Sequence, residues 1–176
     1  MKRMSKEPEP VSSTSKMTVA GEIEEHVRAI LARLGEDSIA EIYRLRVRSD
    51  RTRRYDLPPL PRSGQPRVEI MHTLLGIELK IGRRRLSCPD LSTARYLTVF
   101  VRLGVAAVAL PYDITRLARL ADDLESSWFR MMMMAESSMD EINYKLTPRL
   151  IRRLIEAQRD EVEVCGPGPV APRFNR

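Results

Sequence analysis

Apolar side chains recur first at helical and then at strand spacing along this chain, and the changes of period divide it into elements. Ile23, Val27, Ile30, Leu31 and Leu34 stand at i, i+4, i+7, i+8 and i+11, one stripe of a 3.6-residue period, and Gly35 follows where a left-handed cap would sit. The spacing predicts a helix over 18–34, with Glu22, Glu24, Glu25 and Arg28 turned to solvent. Over 36–50 two patterns overlap. Ser38 to Glu41 reads as a capping box, while Tyr43, Leu45 and Val47 alternate with Arg44, Arg46 and Arg48 as in a half-exposed strand. A short helical turn leading into a strand accommodates both, followed by a hairpin to Tyr55, Asp56 and Leu57 with arginines in its loop. The Pro-rich connection over 57–66 cannot enter a sheet interior.

Further on, period-two stretches at 68–72 and 77–81, a glycine turn at Gly82 and a third stretch over 83–87 form a ribbon that Cys88-Pro89-Asp90 ends. Asp90 or Ser92 caps a helix over 91–103, Gly104 stops it, and the apolar run 105–110 reads as an interior strand. Asp113 caps a long amphipathic helix through Ile114, Leu117, Ala121, Leu124, Trp128, Met131 and Ala135, and another helix begins at Thr147-Pro148. The fold expected is α+β: a small central mixed sheet holding 77–81 and 105–110, flanked by the 18–34 and 91–103 helices, with a C-terminal helical extension. Residues 18–163 form a single domain, of which 18–111 is the sheet-containing core and 112–163 the helical extension. The polar stretches 1–17 and 164–176 are disordered tails on this reading, since neither buries enough apolar surface to offset chain ordering.

Composition sharpens the picture in two places. Cys88 and Cys165 stand far apart without CxxC spacing, and neither they nor His26 and His72 make a zinc pattern. With no apolar run of bilayer length and no hydrophobic leader core, the expectation is a cytoplasmic protein that does not enter a membrane. Of 30 basic residues only five are lysine, against a net charge of +6. Arginine suits phosphate through its planar fork, and it also lies on ordinary solvated faces. A lysine inside an apolar strand of so arginine-rich a chain is the less interchangeable charge.

That lysine is Lys80. In Ile77-Glu78-Leu79-Lys80-Ile81, alternation puts the carboxylate and the ammonium on one face and the aliphatics on the other. With the helix and strand that follow, written LSTARYLTVFVRLGVAAVALP, the segment 18–110 resembles the core of the PD-(D/E)xK nuclease superfamily. The resemblance implies a metal-dependent cleavage of nucleic acid phosphodiesters. Glu78 and Lys80 would take the motif's catalytic roles, Glu78 and an earlier acid would hold Mg²⁺, and the lysine would position or activate water. Asp56, Glu69 and Glu25 are the candidates for the earlier acid, in that order, and the family's upstream Pro-Asp signature is absent.

Three other readings stand beside the nuclease. Glu78 and Lys80 can form exposed cross-strand ion pairs on a one-sided sheet. A noncatalytic nucleic-acid-binding module would grip phosphate with Arg51, Arg53, Arg54 and the 44–48 series, together with Arg83, Arg84 and Arg85, although aromatics for base stacking are only 5% of the chain. A homodimer or partner-binding subunit would use the 113–135 helix, where Trp128 and Met131 to Met134 offer adaptable apolar side chains.

Overall fold

A computed structural model describes residues 19–58, 67–138 and 144–170. The architecture is α+β, with helices flanking two small antiparallel sheets. Helix α1 (Val19–Leu34) passes through a tight turn into α2 (Ile39–Ile42), where Ser38 Oγ accepts the Glu41 N–H at 3.3 Å. The strand expected next does not form. Instead the chain stays helical through a π turn at Tyr43–Val47, closed by the Arg48 N–H bonding to the Tyr43 carbonyl at 2.9 Å. Burial decides between the two periods: Ile39, Tyr43 and Val47, spaced by four, are fully enclosed, whereas Leu45, which the strand pattern would have placed with them, is exposed.

Strand β1 (Thr52–Asp56) follows, then β2 (Val68–Thr73), β3 (Gly76–Ile81) and β4 (Arg84–Cys88), which form an antiparallel meander. Helix α3 (Leu91–Leu103) begins at an Asp90 cap that accepts the Thr93 N–H at 2.7 Å, and ends at Gly104, whose φ of 84° needs a residue without a Cβ. Strand β5 (Ala107–Pro111), α4 (Ile114–Ser137) and α5 (Thr147–Cys165) complete the chain, with Asp113 capping α4 and proline in the first turn of α5. No helix among the described residues is long and apolar enough to cross a membrane.

Helix α3 is the centre of the core: Leu97, Val99 and Phe100 have no exposed surface, and the helix packs on α4, α5 and the β2–β3–β4 sheet. Helix α1 lies along α5. One buried polar tie crosses this layer, the Gln158 side-chain oxygen accepting the Ala40 N–H at 2.9 Å, which satisfies a free donor in the first turn of α2. Cys88 lies on the inner side of β4, and burial pushes its thiol up to about 11 from an ordinary 9.0. The folded thiol therefore holds its proton where the unfolded one has lost it. Stability is unaffected below pH 9 and falls as pH rises toward the folded value, which denaturant titrations at several pH values, compared with Cys88→Ala, will show.

The sheet departs from expectation in one respect. Ile77–Ile81 and the apolar run do not share a mixed sheet: β3 pairs with β2 and β4, while β5 pairs only with β1, Arg54 facing Ala109. The reason lies at the edges of the β1–β5 ribbon. On the β5 side, the Ala109 N–H donates to the Tyr43 hydroxyl at 2.8 Å and the Ala109 carbonyl accepts from the Tyr96 hydroxyl at 2.6 Å. Two tyrosines thus occupy the backbone groups a further strand would need. On the β1 side, the Arg54 N–H donates to the Pro169 carbonyl at 2.8 Å.

That last bond also corrects the expected loose tail after 163. Helix α5 runs to Cys165, whose carbonyl accepts from Arg48 Nε at 3.2 Å, and the Gly166 carbonyl accepts from Tyr43 at 2.9 Å. Gly168 sits at φ +81°, where a Cβ would meet Arg48 Nη1 at 2.9 Å and Thr52 Oγ1 at 3.1 Å. Gly168→Val is expected to undock this segment at a cost of about 1–3 kcal/mol, the scale of a residue forced into a left-handed conformation. Chemical denaturation measures the loss, and hydrogen exchange at the Arg54 amide should accelerate with it.

Candidate functional site

The meander has two chemically distinct faces, fixed by its register. On one, Ile70, Leu79 and Leu86 align across the three strands, as do Ile77 and Cys88, and this face packs against the core. On the other, Glu69, Lys80 and Arg85 form one row, and Met71, Glu78 and Ser87 the next. The alternation read from the sequence is therefore realised, with Glu78 and Lys80 on one face of β3.

Their partners settle what this face is made of. Lys80 Nζ donates to Glu69 Oε2 at 3.4 Å, and Arg67 Nε lies 2.6 Å from the other Glu69 oxygen. The Lys80 hydrogen bond, with help from Arg67, holds the Glu69 carboxyl below its usual range. Arg85 Nη1 donates to Glu78 Oε2 at 3.3 Å, and only 18% of the Glu78 side chain remains exposed. The two charges of the motif are each answered across a strand by an opposite charge.

The donor set does not fit Mg²⁺ as the nuclease resemblance requires. That ion takes one or two converging protein carboxylates and keeps the rest of its shell for water and phosphate. Glu69 and Glu78 each face a cation, and Asp56 lies in the other sheet, held by Arg54 at 2.7 Å. Glu25 lies exposed on α1. Among the described residues no three of His, Cys, Asp or Glu come together as a metal group. Lys80→Ala is expected to change stability by less than about 1 kcal/mol, as half-exposed ion pairs do, and Glu78→Ala, whose side chain is more covered, by about 1 kcal/mol, results that urea unfolding will check.

The arginines named from the sequence divide sharply by partner. Arg44 pairs with Glu41, Arg46 with Asp123, Arg54 with Asp56 and Arg85 with Glu78, while Arg48 bonds the Cys165 carbonyl. Among the described residues Arg51, Arg53, Arg83 and Arg84 have no carboxylate partner. Arg83 lies in the β3–β4 turn and Arg84 opens β4 opposite Ile81, both exposed. Arg51 and Arg53 share a residue that sequence reasoning missed, Tyr112. Its N–H bonds the Arg51 carbonyl at 3.3 Å where β1 and β5 meet, and the two guanidinium carbons lie 5.4 and 5.7 Å from its ring centroid. Tyr112 as a residue is 49% exposed. An exposed tyrosine directly after a buried apolar strand was the available signal, but nothing in the sequence indicates that this strand pairs with the arginine-bearing one.

The helix expected to face a partner is also resolved residue by residue. Met131 is fully buried and Trp128 nearly so, with Arg102 over its indole at 5.7 Å, so neither belongs to an outer surface. Met132 and Met134 are half-buried, and the exposed pair is Phe129 and Met133, one turn apart at 59% and 68%. Comparison of the chain with protein-family models, curated proteins and solved structures finds no match.

Proposed function

We propose that this protein binds nucleic acid without cutting it, through the end of the β1–β5 ribbon. The observation that carries the reading is the cluster of Arg51 and Arg53 around the half-exposed Tyr112, with no carboxylate partner among the described residues. Guanidiniums held over a ring are oriented for bidentate contact with phosphate, and the exposed part of the tyrosine offers a stacking surface to an unpaired base. Arg83 and Arg84 at the β3–β4 turn offer further charge to a backbone. The preference is for single strands, because an exposed aromatic flanked by cations serves an unstacked base, whereas a duplex presents phosphate alone.

The test separates binding from cleavage. Labelled linear, branched and single-stranded substrates are incubated with the protein in Mg²⁺ or Mn²⁺, and both bound fraction and strand length are read. Binding with intact strands is expected, unchanged in Glu78→Ala and Lys80→Ala. Cleavage abolished in both variants while binding persists would replace this reading with the nuclease one.

Phe129 and Met133 favour a second reading, a partner-binding face on α4. Met133→Glu would break such an association, visible as a change in mass by light scattering.

A further inference from the structure

Away from the ribbon, the paired helices α1 and α5 enclose an open cavity of about 600 Å³. Val19, Ala20 and Ile23 of α1 form its apolar wall, with Glu24 at the edge of the same helix, and Arg149, Arg152 and Arg153 of α5 form the other. Arg153 is neutralised by Glu24, at 2.6 Å, and by Glu156, at 2.7 Å. Arg149 and Arg152, one turn apart on the same face, have no carboxylate partner among the described residues. The first turn of α5 carries no acidic residue, so these cations stand against the sense of the helix dipole without local compensation.

We infer that this cavity binds an amphiphilic anion: a carboxylate or phosphate headgroup on a short aliphatic chain. The two walls exclude the simpler ligands. An inorganic anion would engage the arginines and leave the Val19–Ile23 wall wetted, while a neutral hydrocarbon would cover that wall and strip water from guanidiniums left unpaired. A ligand with both parts satisfies both walls, the headgroup bridging Arg149 and Arg152 and the chain lying on Val19, Ala20 and Ile23. The cavity volume falls in the range of small-molecule sites.

Calorimetry on the full chain tests this with decanoate and decyl phosphate as probes, and with decanol, acetate and inorganic phosphate as controls. One decanoate or decyl phosphate per chain is expected, with each control at least about tenfold weaker, the scale of one lost charge-assisted contact or a few buried methylenes. Comparing the two probes shows which headgroup is preferred. Arg149→Gln/Arg152→Gln should weaken the preferred probe about tenfold or more. Val19→Asp should weaken it as well, and neither variant should change the melting temperature, since all three positions are exposed. Oligonucleotide affinity, measured on the same variants, should not move. No binding of either probe, equal binding of decanol, or unaltered binding by the double variant would overturn the inference. So would a fall in oligonucleotide affinity in that variant, which would assign these arginines to the nucleic-acid surface instead.

Discussion

Tyr43→Phe is expected to destabilise the fold by about 2–4 kcal/mol, although it removes a single oxygen atom. The hydroxyl does two jobs: it accepts the buried Ala109 N–H at 2.8 Å and donates to the Gly166 carbonyl at 2.9 Å. Phenylalanine would keep the ring contact with Phe100, whose centroid lies 5.3 Å away, and leave both backbone groups without a partner. An orphaned buried donor or acceptor costs about 1–3 kcal/mol, and here a buried Ala109 N–H and a part-buried Gly166 carbonyl are both left. The loss should exceed that of Tyr96→Phe, which orphans only the Ala109 carbonyl. Equilibrium unfolding of the two variants gives the comparison; equal losses would mean that the bond to the Gly166 carbonyl adds nothing, and no loss in Tyr43→Phe that Tyr43 is held by packing alone. The effect reaches the proposed binding surface because this hydroxyl fixes β5 and the 166–170 segment against β1, the strand that carries Arg53 and follows Arg51.

The second large effect concerns affinity. Arg51→Gln/Arg53→Gln is expected to weaken binding of a single-stranded oligonucleotide by about a hundredfold, since two charge-assisted contacts at about 1.5 kcal/mol each are lost. Tyr112→Ala should cost about tenfold, at the lower end of base–aromatic stacking. Melting temperature should hardly change in either case, because the three side chains lie outside the core. Arg54→Gln is the control: Asp56 already occupies it, so its removal should alter affinity little. Fluorescence anisotropy with one oligonucleotide across the four proteins measures all of this, and an Arg54→Gln effect as large as the double variant's would point to general charge rather than the cluster.

Much of the framework was legible because local rules and burial agree. Asp90, Gly104 and Asp113 stand where the caps formed, and the stripe from Leu117 to Ala135 is the buried face of α4, while Ile114, which the spacing put in the same stripe, lies exposed in the first turn. The period of two in Ile77–Ile81 placed Glu78 and Lys80 on one face correctly. What alternation cannot report is the partner across the strand: Arg85 lies against Glu78 and Glu69 against Lys80. At Tyr43–Val47 the strand period and the helical spacing of four shared two of their residues, and the long-range demand to bury Tyr43 selected the helix. The pairing of β1 with β5 was hidden for a similar reason. Its outer edge is closed by two tyrosine hydroxyls, 53 positions apart by residue number (Tyr43 and Tyr96), reaching the same alanine, and no short-range pattern encodes that. Tyr112 became a candidate only once this pairing had set it beside the arginines.

The most direct measurement of the central claim is the salt dependence of single-stranded oligonucleotide binding, wild type beside Arg51→Gln/Arg53→Gln. Each phosphate neutralised on a single strand contributes about 0.7 to the slope of log K against log salt. The account predicts a wild-type affinity that falls linearly with log salt and a slope shallower by about 1.4 in the double variant, two phosphates' worth on that scale. Absence of binding at low salt, or a slope identical in the two proteins, would contradict it.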